Sequence, residues 1–197
     1  MATSPAPSLP DAEQYLAWER EAAFKSEYLD GMITAMAGAS ERHVVISTNL
    51  LAEFHVRFKG GPCRVYNSDM RVAVEEGKFY TYPDITVVCG KPELADSFQD
   101  TLVNPVLIIE VLSPSTEAYD RGEKFTRYRK LKTLKEVLFV SQDRMHAELY
   151  RKTDIGWMLQ EWEKPEDQIA FETITANIPL ADIYDRVEFP ELEDARE

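Results

Sequence analysis

Hydrophobic and polar positions change their period several times along the chain, and each change marks a predicted element. After Leu9-Pro10, Asp11 is placed to cap a short helix carrying Tyr15, Leu16 and Trp18. In FKSEYLDGMITAMAG the residues alternate on both sides of Asp30-Gly31. That predicts a hairpin turning there, since Asp-Gly tolerates the positive φ a tight turn needs. Ser40 opens a helix through about Phe58, with Val44, Ile46, Leu50, Leu51, Phe54 and Phe58 as its apolar stripe. From Gly60 the pattern turns to strands: CRVY, MRVAV, DITVVC and NPVLIIEVL. The last two are nearly continuous apolar runs, as in strands covered on both faces. The Pro- and acid-bearing KPELADSFQD connects them. A helix from Glu117 or Ala118 to Lys130 turns Phe125, Tyr128 and Leu131 inward. VLFVSQD and HAELYRK form an adjacent strand pair, followed by GWMLQEWEK, QIAFETI and a closing ITANIPLADIYDRV with one helical turn.

Helices preceding and interrupting a central set of strands, with no internal repeat and no Gly-rich phosphate loop, predict an α/β fold with a mixed sheet. The 197 residues suffice for one domain with a sizeable core. The expected organisation is a loose lead-in over 1–10, a single domain over 11–190 and an acidic tail over 191–197. Cys63 and Cys89 sit in strand-like runs without metal-ligand spacing and read as free core thiols, which points to a cytoplasmic protein. No apolar run is long enough to span a membrane, and the opening MATSPAPSLP lacks the basic-then-apolar order of a signal peptide.

A formal net charge of -13 argues against a broad basic surface for nucleic acid. It leaves room for a carboxylate cluster around a divalent cation, which returns positive charge to a site. Asp84 begins the DITVV strand and Glu110 lies near the end of NPVLIIEV, so neighbouring strands would bring the two acids to one sheet edge. With the backbone carbonyl of Val111 they make a hard-oxygen set suited to Mg²⁺ or Mn²⁺. A plainer reading stays open, in which Asp84 caps a turn and Glu110 pairs with a surface cation. Asp120 and Lys124 share a helix face four residues apart, either as a simple ion pair or with Lys124 reaching over the strand end. There Lys124 would orient water, stabilise transition-state charge or act as a base. Arg121 and Arg127 are candidates for phosphate contact, with solvated surface as the plainer use of each. Glu27 and the first-turn His43 complete the constellation, while His55 and His146 receive no role. Ser113 and Thr116 read first as loop-to-helix residues, with a phosphate contact as the alternative.

In this order the segments EYLDG (Glu27), SERHVVI (His43), YPDITVV (Asp84), NPVLIIEVLSPST (Glu110) and DRGEKFTRY (Asp120, Lys124, Tyr128) resemble the Uma-two family. That family belongs to the restriction-endonuclease-like PD-(D/E)XK superfamily. The resemblance covers roughly residues 13 to 140 and implies a central mixed β-sheet flanked by helices. It also implies a metal-dependent endonuclease acting on DNA, with Asp84 and Glu110 as ligands and Glu27 as an additional acid. One departure stands out: the superfamily's Glu-X-Lys is Glu110-Val111-Leu112 here, and Lys124 is the candidate replacement. Two other readings compete, a non-catalytic nuclease-fold binding or regulatory protein and a metal-dependent hydrolase of a small phosphate ester. The family resemblance and the Trp157 and Trp162 region suggest a homodimer.

Overall fold

The computed structural model describes residues 10–189. The lead-in over 1–10 lies, but for Pro10, outside the described residues, as does the whole of the tail over 191–197. Chain order is α1 (Ala12–Glu21), β1 (Ser26–Leu29), β2 (Met32–Ala35), α2 (Glu41–Phe58), β3 (Cys63–Asn67), β4 (Arg71–Glu75), β5 (Phe79–Thr81) and β6 (Ile85–Cys89). Then come β7 (Thr101–Leu102), β8 (Leu107–Leu112), α3 (Glu117–Tyr119), a π-helical turn (Asp120–Lys124) and α4 (Phe125–Tyr128). β9 (Glu136–Ser141), β10 (Ala147–Thr153), β11 (Gly156–Trp162), β12 (Gln168–Phe171), β13 (Ala176–Pro179) and α5 (Leu180–Ile183) complete it.

The expected central mixed β-sheet flanked by helices is present, and beside it lie a second large sheet and a hairpin that were not foreseen. The six-stranded sheet has the order β11-β10-β9-β8-β6-β3 and the five-stranded one β2-β1-β5-β4-β7, with β12 and β13 paired separately. In the larger sheet β8 and β9 are parallel, so the chain between them crosses over through α3 and α4. Their six-residue run is apolar on both faces for a simple reason. Leu107, Ile109 and Val111 pack with Ile46, Leu50 and Phe54 of α2 on one side. Ile108 and Leu112 pack with Phe125, Tyr128, Val72 and Phe79 on the other. Glu110 therefore projects, between Ile108 and Leu112, toward the layer formed by α4 and the second sheet.

Local chemistry sets the framework that carries the site. Asp11 caps α1 through Gln14 N–H at 2.8 Å, and Gln14 Oε1 returns to Asp11 N–H at 3.1 Å. Asp30 and Gly31 take φ of 47° and 94°, the paired left-handed turn predicted for the β1–β2 hairpin. Ser40 caps α2, accepting from His43 N–H at 3.2 Å. Cys63 and Cys89 are a correction: they are cross-strand partners of β3 and β6 and form a disulfide. Their spacing in the chain carries no hint of this, because the antiparallel register brings them together. The inference from free thiols to a reducing compartment falls with it. No helix among the described residues is long and apolar enough to cross a membrane.

Candidate active site

One step of antiparallel register beyond the pair Ile85↔Ile109 places Asp84 opposite Glu110. Like charges opposed across strands repel, so this end of the sheet needs either a cation or a proton. Both acids line a cleft of about 1080 Å³, together with Glu27, His43, Val111, Ser113, Tyr119, Asp120, Lys124 and Lys25.

Lys124 is the cation present. Its Nζ lies 3.1 Å from Glu110 Oε1, 3.2 Å from Glu27 Oε1 and 3.4 Å from Asp120 Oδ1. The π-helical turn holds Asp120 and Lys124 both buried, where a longer loop of backbone widens the turn between them. Burial disfavours the ammonium, yet the surrounding Glu110, Tyr128, Glu27 and Asp120 raise its pKa well above the ordinary lysine value. These acids favour the charged ammonium of Lys124.

Glu110 sits on the other side of that balance. Tyr128 O–H and Lys124 both reach its Oε1, leaving Oε2 outside both contacts. Burial pushes its pKa up to about 8; Lys124 lowers it, while Asp120 and Asp84 raise it further. Asp120 is raised too, first by burial, with Lys124 opposing. Asp84 is held from two directions: His43 Nε2 lies 2.9 Å from Oδ1, and Val111 N–H donates to Oδ2 at 2.7 Å. Glu27 accepts from Thr81 Oγ1 and, at 3.2 Å, from Tyr119 O–H. Burial and the neighbouring Glu27 carry the Tyr119 phenol far above the ordinary tyrosine range.

Contacts thus gather Glu27, Glu110, Asp120, Lys124 and Tyr128 into one cluster and His43, Asp84 and Val111 into another, and all of these but Tyr128 line the same cleft. Ser113 lines the cleft and bonds Ser115 and Thr116 hydroxyls at 3.0 and 2.9 Å. Arg121 and Arg127 are not brought in. Arg121 is paired with Glu117 and Glu148, and Arg127 with Asp30 and Glu75. Trp157 packs on Phe125 at 5.6 Å and Trp162 against the α2 core, so this chain itself occupies both aromatics. Thr81, Tyr119 and Lys25 were missed. Tyr119 adjoins Asp120 in sequence and carried that weak signal; Thr81 comes from β5 of the second sheet, which the sequence did not separate, and Lys25 from the connection just before β1.

The set of donors fits a hard divalent cation. Three carboxyl side chains, Glu27, Glu110 and Asp120, surround the Lys124 ammonium, and Asp84 lies on the same cleft, so the donors on offer are the carboxylate oxygens that a hard divalent cation takes. A family model described as "Putative restriction endonuclease" (Uma2) matches residues 12–181. Two uncharacterized Synechocystis proteins are similar over most of their length. One is 39% identical over 92% of this chain and 94% of its own, the other 35% over 81% and 91%. A crystal structure of a "putative nuclease belonging to DUF820" from Anabaena variabilis superposes with a TM-score of 0.73 at 17% identity, covering 89% of this chain and 97% of that one.

Proposed function

Because this chain belongs to the Uma2 family, whose model is described as "Putative restriction endonuclease", and shares its fold with a "putative nuclease", we propose that it is a Mg²⁺- or Mn²⁺-dependent endonuclease of DNA. The observation that carries this reading is the opposition of Asp84 and Glu110 across two strands at the open cleft. These two residues would hold the ion, with the Val111 backbone beside them. When bound, such an ion lowers the pKa of water and offsets charge on a phosphoryl oxygen.

The chain's own groups do the rest. His43 and Val111 N–H fix the Asp84 carboxyl in one orientation, as the partners of metal ligands commonly do. Tyr128 and Lys124 fix Glu110 on one oxygen only, so the other is available to a ligand. Lys124 is the ammonium nearest the acids and stabilises charge that develops on the phosphate in the transition state. Glu27 and Asp120 keep it in place. Lys25, beside the cleft and paired with Asp69 at 2.9 Å, is the cation best placed to meet an incoming backbone phosphate. Arg121 and Arg127, which pair with acids and do not line the cleft, are not assigned that work. A homodimer would let two such sites address two strands.

The paucity of cations along the cleft favours one second reading, a small phosphate ester as substrate, since a polyanion typically needs several Lys or Arg contacts. Supercoiled DNA, single-stranded DNA and a small aryl phosphodiester, each with Mn²⁺ and with chelator, separate the two. Endonuclease action predicts DNA nicking that chelator abolishes and that Asp84→Ala and Lys124→Ala remove. Turnover of the small ester alone selects the second reading. Metal uptake with no turnover of any of them identifies a binding protein and sinks both. Cleavage indifferent to both substitutions does not come from this site.

A further inference from the structure

An opposition of acids occurs a second time, further along the same cross-strand row of the larger sheet, where Glu110 is level with Phe139 and Phe139 with Glu148. Glu148 of β10 and Glu161 of β11 are direct cross-strand partners, an arrangement that costs stability unless something positive lies between them. His146, just before β10 and 3% exposed, points its imidazole at both. Its Nε2 is 3.3 Å from Glu161 Oε1, 3.8 Å from Glu148 Oε1 and 3.9 Å from Glu163 Oε1. We propose that His146, Glu148 and Glu161 form a second cation site, for a divalent transition ion of the Zn²⁺ class.

The donor chemistry separates this site from the cleft. One imidazole nitrogen with carboxylate oxygens suits a borderline ion, whereas the all-oxygen cleft suits Mg²⁺ or Mn²⁺. The spacing agrees. Ligand atoms about 2.0–2.1 Å from a tetrahedral zinc stand roughly 3.3 Å apart, and the three ligand atoms here lie within 4.8 Å of one another. Only a slight closure of side chains is needed. A protonated imidazole is a poorer answer, because its single Nε2–H can serve one of the three carboxyls and not all.

The parts are also held ready. The imidazole of His146, although buried, has no hydrogen-bond partner outside this cluster among the described residues. Its backbone is fastened on both sides by Tyr184, whose hydroxyl receives His146 N–H at 3.1 Å and donates to His146 C=O at 2.9 Å. Glu148 gives Oε2 to Arg121 and turns Oε1 toward His146, so one carboxyl links the site to the helical segment that carries Lys124. Glu161 is exposed, which leaves an ion a way in, and Glu163 can supply a fourth oxygen. The ion would tie the β9–β10 turn to β11 and, through Arg121, brace the helix beside the cleft.

Cobalt(II) is the probe, read by its visible absorption bands and by displacement with Zn²⁺, on the full chain. The expected result is one equivalent bound with the intense bands of a four-coordinate site, in wild type and in Asp84→Ala alike. His146→Gln should abolish the bands, and Glu161→Gln should weaken binding by about tenfold or more. Glu161 is exposed, so its substitution reads the site even where the buried histidine variant fails to fold. Bands that survive both substitutions, or no bands at millimolar cobalt, overturn the proposal. Uptake that only Asp84→Ala removes also overturns it, while leaving the reading of the cleft intact.

Discussion

Glu110 and Glu136 belong to neighbouring strands of one sheet, three register positions apart, and both are buried. Their surroundings differ in one respect. Glu136 receives Arg151 Nε at 2.8 Å and two backbone donors, Glu172 N–H at 3.2 Å and Thr173 N–H at 3.3 Å. Arg151 in turn spends its remaining donors on Gln160, Glu172 and the carbonyl of Ala170. Every partner there is fixed, and the carboxyl faces no cleft. Glu110 shares one lysine with Glu27 and Asp120, stands opposite Asp84 and lines the cleft. The first arrangement is a closed clasp, whereas the second has an unmet demand for positive charge, which is what a binding site for a cation requires. Burial alone does not distinguish a structural acid from a functional one; the ratio of donors to carboxyls does.

The largest separation between the two should appear on substitution by the neutral isostere. Glu110→Gln should lower metal-dependent cleavage by about a hundredfold or more while the protein unfolds no earlier than wild type, as thermal scans will report. Arg151→Met should do the reverse, stranding Glu136 in the core at a cost of about 3–5 kcal/mol in urea unfolding, with activity per folded molecule unchanged. A Glu110→Gln protein that loses several kcal/mol would put Glu110 in the same class as Glu136.

A pH titration sharpens the same contrast. With its pKa raised from 4.5 to about 8, folded Glu110 keeps a proton that the unfolded chain has released. The folded state then binds more protons than the unfolded, so this group's contribution to stability falls as pH climbs from about 4.5 toward about 8. Mn²⁺ needs the carboxylate and must expel that proton. Its apparent affinity should rise by up to about tenfold per pH unit below the Glu110 pKa and level off above it. Calorimetry in buffers of different ionisation enthalpy will show the proton release; binding without it contradicts the picture. The smallest effect belongs to Arg127, a partly exposed side chain among Asp30, Glu75 and Glu123. Arg127→Ala should cost no more than about 1 kcal/mol and leave cleavage within about twofold of wild type.

Much of this framework was legible from residue pattern. The Asp11 and Ser40 caps, the Asp30-Gly31 turn and the doubly covered β6 and β8 follow from local chemistry. The acids Asp84 and Glu110 could be paired on paper because both lie at ends of apolar runs. What the pattern withheld was register and the second sheet. β5 and β7, of three and two residues, are too short to show a period. Cys63 with Cys89, and Glu148 with Glu161, meet only because particular strands pair in one alignment. Arg121 and Arg127 read as candidates for phosphate contact because sequence does not show which acids will claim them. The displaced lysine was visible as a residue, but its service to three carboxyls was not, since Glu27 arrives from the other sheet.

The most direct test is a crystal soaked in Mn²⁺ and measured for anomalous scattering. A peak touching the carboxyls of both Asp84 and Glu110, and absent from Glu110→Gln crystals, is the predicted result. Manganese at millimolar concentration with no density at that pair would contradict the assignment of the cleft as a metal-dependent active site.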